Sequence, residues 1–342
     1  RNLLRPSFLR MLRDVLRFNR EAAQFATEHV VAPPEAPLSL GQFLSQGRYS
    51  DEFRDWYLGP MAAAIWSCPT RAMLDFPFAS FAQFFRNHGL LQISDRPQWF
   101  TVPGGARQYV ERLIAALQAR GGKLRLSTPV RAVSRDLQGL AKDMTAPNTQ
   151  GVIRLHCDHG AEHFDALVLA CHSDQSLALL GEQASAGERA VLSGIPYQAN
   201  RALLHTDSSL LPLRQKLWSA WNYSAGRDGP DGRPVAVHYL LNKLQPLPFT
   251  QPLLVSLNPH REPHPDSVLG EYDYAHPVFG ANAAQAQALL PGLQGQHQTW
   301  FCGAWTRYGF HEDGLRSAVA VARDFGIQPP WNAAVPTRAG SA

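Results

Sequence analysis

No apolar run in this sequence approaches the roughly 18 residues that a membrane-crossing helix requires. CxxC spacing is also missing, and the four cysteines, Cys68, Cys157, Cys171 and Cys302, lie far apart. That argues against a thiolate zinc site and against a disulfide framework, and it fits a reducing cytoplasm. There is no G-x-S-x-G and no Ser/His/Asp pattern to suggest a hydrolase. No G-x-G-x-x-G occurs either, so the chain shows no dinucleotide fingerprint. Charge is sparse: 32 basic and 28 acidic residues give a net charge of +4, too small and too dispersed to indicate a nucleic-acid partner. What the chain does have is apolar mass. Hydrophobic residues make up 45% of 342 positions, enough for a large core and for two interleaved or sequential domains.

Basic residues concentrate at the start. Residues 1–20, RNLLRPSFLRMLRDVLRFNR, interleave six arginines with leucine, phenylalanine, methionine and valine. Two readings are open. One is a presequence or membrane-surface helix, which implies a peripheral membrane contact. The other is an amphipathic helix that packs its stripe on its own domain. Residues 1–100 read as mainly helical, with a break at Ala32-Pro33-Pro34 and a phenylalanine-rich stretch (Phe76, Phe78, Phe81, Phe84, Phe85) suited to a core or a greasy pocket.

From Trp99 the pattern changes. Val102-Pro103-Gly104-Gly105 leads into a helix whose Val110, Leu113, Ile114 and Leu117 recur at helical spacing, and Gly121-Gly122 ends it. Short strands are expected at Lys123–Leu126, Val130–Ser134, Gly151–Cys157 and Ala166–Ala170, then a helix capped by Ser173 or Asp174. From Tyr197 to about Gly280, Arg201–His205, Leu217–Tyr223, Val235–Leu241 and Leu253–Leu257 alternate as an antiparallel sheet broken by Gly/Pro loops such as Gly226–Pro234.

The most specific string is Thr299–Val321, TWFCGAWTRYGFHEDGLRSAVAV: a buried strand ending at Cys302-Gly303, a loop, and a helix opening near Asp313-Gly314-Leu315. Glycine lets a backbone approach a ligand closely, and a helix start presents free N–H groups. This string resembles the C-terminal flavin motif of the flavin-containing amine oxidase and protoporphyrinogen oxidase superfamily. Its GFHEDGL is similar to a bacterial branch described as NAD/FAD-binding proteins. In order along the chain, Val102-Pro103-Gly104-Gly105, Thr128-Pro129-Val130 and Asp165–Cys171 resemble further cofactor-domain segments. His238–Leu247 and Leu254–Pro259 resemble segments of the substrate domain.

The resemblance implies a mixed α/β fold, in which an incomplete FAD-binding Rossmann-like domain (101–196 and 291–330) is interleaved with a substrate domain of helices (1–100) and antiparallel sheet (197–290), followed by a tail (331–342). It implies FAD as cofactor, with Val130, Ala170, Gly303, Asp313, Gly314 and Leu315 as contacts. It implies an oxidoreductase that transfers hydride from a small-molecule substrate to flavin N5. The family's glycine-rich pyrophosphate turn is expected upstream of residue 1, so these residues alone are expected to bind FAD poorly and to be inactive. Trp305 stands where many relatives carry an acid, which leaves Glu312 or Asp313 for a polar cofactor contact. Lys243, one of four lysines, does not match the family's flavin-proximal lysine and reads as a surface residue. No catalytic side chain is assigned. His156, His159 and His163 around a turn read as a solvated hairpin tip, without the ligands that would complete a metal site. The branch's association with fatty-acid-modifying enzymes favours an apolar or acyl substrate. The alternatives are a small amine, or a non-catalytic module that keeps the fold.

Overall fold

The computed structural model describes residues 4–28, 38–66, 73–135, 153–226, 235–329 and 331. The expected break at Ala32-Pro33-Pro34, Cys68, the start of the strand at Gly151, most of the Gly226–Pro234 loop and nearly all of the tail lie outside the described residues. The main helices are α1 (Pro6–Glu28), α2 (Leu40–Gln46), α3 (Gly59–Trp66), α4 (Phe78–Asn87), α5 (Arg107–Ala119), α6 (Ser173–Leu180), α7 (Ala186–Ser193), α8 (Ala281–Leu289) and α9 (His311–Asp324). The strands are β1 (Val130–Arg135), β2 (Ile153–Cys157), β3 (Gly160–Phe164), β4 (Leu167–Leu169), β5 (Tyr197–His205), β6 (Trp221–Ala225), β7 (Val235–Leu240), β8 (Leu254–Leu257), β9 (Val268–Pro277) and β10 (Thr299–Phe301). The fold is mixed helix and sheet, as the resemblance implies. The chain divides into two compact units, residues 1–124 with 197–281, and residues 125–196 with 282–342. Residues 101–124, expected with the cofactor segment, group with the first unit.

In the first unit, α1 turns Met11, Phe18, Ala22 and Ala26 inward and packs against α4. All five phenylalanines of 76–85 are buried. They pack on one another and on α1 and α2: Phe43 stacks on Phe78 at 3.7 Å, Phe81 on Phe85 at 4.1 Å, and Phe18 lies edge-on to Phe78 and Phe81. The stretch is therefore core. Asp14 ties α1 down from inside, accepting from Ser50 N at 2.9 Å and Ser50 Oγ at 2.6 Å. Burial pushes its carboxyl up, but the Ser50 bonds and the neighbouring Arg13 and Arg17 hold it below the usual range. Helix α5 forms where the spacing puts it, yet it buries no residue, and its stripe of Val110, Leu113 and Leu117 faces outward. Lys123–Leu126, expected as a strand, is irregular and exposed, because an extended segment gains no ladder bonds without a neighbour.

The sheet of this unit is antiparallel in the order β6-β7-β8-β5-β9. Strand β9, which the sequence reading did not anticipate, pairs along the whole of β5. Polar side chains cross the sheet's interior in one directed chain. Asp207 N donates to His205 Nδ1 at 3.1 Å, which leaves the ring proton on Nε2. Nε2 donates to Ser256 Oγ at 2.7 Å, Ser256 Oγ donates to His238 Nδ1 at 2.7 Å, and His238 Nε2 donates to Ser224 Oγ at 3.0 Å. Both imidazoles are thus held neutral with every proton placed. Burial, reinforced by the nearby His205, His260 and Arg261, depresses His238 to about 4; burial also lowers His205.

A pH dependence follows from this chain. The unfolded chain takes up the His238 proton near 6.5, and the folded chain does so only near 4, so stability is full above 6.5 and falls as pH drops through that window. The loss reaches about 3 kcal/mol. Urea midpoints at pH 7 and pH 4.5 check this: the gap between them should shrink in His238→Asn, and an unchanged gap would refute the account.

In the second unit, β1-β2-β3 form an antiparallel sheet, and β4 and β10 form a two-stranded parallel one. Strand β3 was not anticipated; it turns the His-rich segment into a hairpin in which His156 Nε2 meets Ser134 Oγ at 2.7 Å and His163 accepts from Arg154. Helix α6 begins at Ser173, not after it, and Ser173 is buried inside the first turn with His172 at the cap position. The centre is an ion pair. Arg135 meets Glu188 through two bonds, 2.6 and 2.8 Å, and also donates to the carbonyl of Gln183 at 2.6 Å. Both side chains are 1% exposed.

Candidate functional site

The C-terminal ends of β4 and β10 hold most of the residues that the sequence singles out. β10 runs parallel to β4, with Thr299 opposite Leu167 and Phe301 opposite Leu169. The register continues through Cys302 N, which donates to Leu169 O at 3.0 Å. Gln294 closes the far edge of β10: its amide accepts from Phe301 N at 2.9 Å and donates to Phe301 O at 2.7 Å, as a strand would. No strand pairs with the other edge of β4 among the described residues.

Beyond β10 the backbone turns sharply at Gly303, φ 142° and ψ 168°, a region that essentially only glycine occupies. A Cβ there would lie 2.9 Å from two ring atoms of Trp305. Trp305 is itself pinned, 3% exposed and donating from Nε1 to Cys171 O at 3.1 Å, so the loop after β10 is tied to the end of β4. Gly303 N donates to Ser317 Oγ at 2.9 Å, and that hydroxyl donates to Gly314 O at 2.7 Å, which fastens the glycine to the first turns of α9. Asp313, buried, accepts from Phe310 N at 3.1 Å and so caps the helix start. Glu312 pairs with Arg316 at 2.8 Å. Gly314 sits near the start of the helix, and among the described residues no atom outside the helix backbone excludes a Cβ from it; the nearest is Ala304 N at 3.7 Å.

Ala170, exposed just after β4, Gly303, Asp313, Gly314 and Leu315 thus belong to one strand pair and the helix start that follows it. Val130 lies elsewhere, half-buried on β1 opposite Cys157. Sequence reading treated Trp305 only as a departure and missed Ser317 and Gln294. Nothing in their local sequence marks them, because their partners lie 134, 14 and 7 residues away. Cys302 is buried, and burial, then the nearby Cys171, pushes its thiol up. Lys243 is exposed. Among the described residues no cluster of His, Cys, Asp and Glu could hold a metal.

The sequence profile described as flavin-containing amine oxidoreductase matches residues 6–204, more than half of the chain. This chain belongs to that family. FAD is the family's cofactor. No curated protein matches the sequence. Solved structures share the fold at low identity. A fatty acid isomerase from P. acnes that produces CLA is 14% identical with a TM-score of 0.60, covering 95% of this chain and 76% of that one. Cyclohexylamine oxidase from Brevibacterium oxydans is 13% identical with a TM-score of 0.54, covering 92% of this chain and 75% of the other. A reduced UDP-galactopyranose mutase is 12% identical with a TM-score of 0.53, covering 90% and 72%.

The residues present fit part of an FAD site. Strands ending together in a parallel sheet, with a Gly-only turn and a helix start beyond them, are where open α/β sheets receive a nucleotide cofactor. The two carboxylates in the first turn of α9 disfavour a phosphate there.

Proposed function

We propose that this chain supplies the C-terminal cofactor segment and the substrate domain of an FAD-dependent oxidoreductase. The observation that carries the reading is the Gly303 turn at the end of β10, held by Ser317 and Trp305 against the start of α9. FAD, when bound, supplies the chemistry by accepting a hydride equivalent from the substrate at N5. The chain's own residues bind and orient. Gly303 brings backbone close to the cofactor, Asp313 fixes the helix start, Gly314 leaves space beside it, and Ala170 and Leu315 flank it. A glycine inside a helix costs about 1 kcal/mol relative to alanine. Packing among the described residues does not require one at 314, so the reading takes the position as space for the cofactor. Val130 is assigned to the adenine end.

With no G-x-G-x-x-G in these residues, the proposal includes a glycine-rich turn for the pyrophosphate contributed by chain outside them. The sheet supports this. Parallel sheets are ordinarily buried and longer than two strands. The edge of β10 is closed by Gln294, while Val168 on β4 remains 42% exposed. β4 has no second strand partner among the described residues, so the reading puts further strands at that edge. The free thiols of Cys157, Cys171 and Cys302 suit a cytoplasmic setting.

For the substrate we favour an apolar, acyl-type molecule. The aromatic surface left outside the core includes Trp221 edge-on to Tyr239 at 5.2 Å, and Trp99 and Phe100 beside Thr101, which Gln245 anchors at 2.6 Å. The fold shared with a fatty acid isomerase is consistent with this choice. Asn242 holds a turn beside this surface by accepting from Leu253 N and donating to Gln251 O. Each buried methylene contributes roughly 0.8 kcal/mol, so four extra carbons should tighten binding by about two orders of magnitude. Anaerobic mixing of the FAD-loaded protein with acyl lipids of rising chain length and with polyamines, followed by flavin bleaching, tests this. Faster bleaching by polyamines assigns an amine substrate. A folded protein that includes the glycine-rich turn and binds no flavin would instead be a non-catalytic module.

A further inference from the structure

Helix α1 has two faces, and only one is accounted for by the fold. Its inner face buries Met11, Phe18 and Ala22. The outer face carries Leu9, Leu12 and Leu16, which are 49%, 36% and 56% exposed. Their spacing, three and four residues apart, lines them up along one side of the helix. Arg5, Arg13 and Arg20 are exposed on the same side. Arg13 reaches Asp14 at 3.3 Å while its side chain stays 69% exposed; Arg5 and Arg20 have no ion pair among the described residues. The one acid between Arg5 and Arg20 is Asp14, which is fully buried and turned to Ser50. No helix among the described residues is long and apolar enough to cross a membrane.

We propose that this outer face of α1 docks in the plane of an anionic lipid surface, with the leucines entering the headgroup boundary and the arginines meeting lipid phosphates. Two features select that partner. An acid-free row of arginines complements negative charge, and three leucines set among them would gain nothing against a nucleic acid in water, whereas at a bilayer they leave water. Arginine forks also match phosphate oxygens in pairs. The helix is 23 residues long and so about 35 Å, enough to lie along the surface. Docking there would present the protein to acyl chains, but it rests on no part of the flavin reading, and its measurement needs no turnover.

The test is sedimentation of the purified protein with vesicles of phosphatidylcholine alone and of phosphatidylcholine mixed equally with phosphatidylglycerol, at low and high salt. Binding to the mixed vesicles that weakens with salt is the expected result. Replacing Arg5, Arg13 and Arg20 together by glutamine should weaken partition by about a hundredfold, close to fivefold for each arginine. Replacing Leu9, Leu12 and Leu16 by glutamine should weaken it by roughly tenfold or more. All six side chains are exposed, so circular dichroism of both variants should match the parent, and melting should stay close to it, Asp14 keeping its Ser50 bonds and Arg17 when Arg13 is replaced. No binding of the parent protein overturns the proposal, and so does binding undiminished in the arginine variant. Loss with the arginine variant but not the leucine variant also overturns it, because that pattern describes a soluble polyanion and not a bilayer.

Discussion

Glu188→Gln is expected to destabilise the second unit by about 3–5 kcal/mol, because it leaves the Arg135 guanidinium buried without its countercharge. The geometry explains the size. Glu188 lies at the third position of helix α7 and also accepts from Ser185 N at 2.7 Å, so one carboxylate both caps the helix and meets Arg135. Burial raises its pKa, yet the bonds from Arg135 and Ser185 outweigh that and hold it ionised. Arg135 in turn joins β1 to the carbonyl of Gln183 and, at 3.5 Å, to Thr299 Oγ1 at the start of β10. Losing the pair therefore loosens the strand that leads to Gly303, and flavin retention should fall along with stability. Arg135→Met combined with Glu188→Leu separates the two contributions to the loss. Removing both charges costs far less than removing one, and it can be neutral when the replacements pack well. The measurement is the urea midpoint of the single and double variants. A single-variant loss below about 1 kcal/mol would show that water reaches this pair.

Gly303→Leu is expected to abolish bound flavin in the FAD-loaded protein. Two costs arise at once. The backbone at φ 142° and ψ 168° is strained for any residue with a side chain, by about 1–3 kcal/mol. The first carbon of that side chain would also strike Trp305, which cannot swing away without breaking its bond to Cys171 O. Relief comes only by moving the loop or by filling the space beside the strand ends, and either change removes the cofactor contact. Gly303→Ala should show an intermediate loss, and Trp305→Phe, which keeps the ring and deletes the bond, should retain flavin with a weaker fold. The readout is the ratio of flavin to protein absorbance beside circular dichroism. Stoichiometric flavin in a folded Gly303→Leu protein would falsify the assignment.

Spacing along the chain placed α5 and α9 and the strands β5, β7 and β8 to within a few residues, and α1 as a helix that runs eight residues further than its basic stretch, because their apolar spacing recurs inside the segment that uses it. The Cys302-Gly303 corner was legible in its own residues, whereas the mixed α/β class came from the resemblance of several short strings, in order, to one family. What a segment's own residues do not carry is the identity of its neighbour. The stripe of α5 looks like a buried face but lies exposed, and Lys123–Leu126 looks like a strand but pairs with no strand among the described residues. β3 and β9 were overlooked because they become strands by pairing with β2 and β5, not by a pattern of their own. The same holds for chemistry. The phenylalanine stretch could have been pocket or core until its rings were seen stacked on one another. His205 and His238 are 33 positions apart, and only folding joins them through Ser256. Arg135 and Glu188 are 53 positions apart, and a buried pair exists only once both are out of water together. Local conformation is a property of neighbours along the chain and is written there. Partnership across space is decided by what the closed core leaves each side chain to meet.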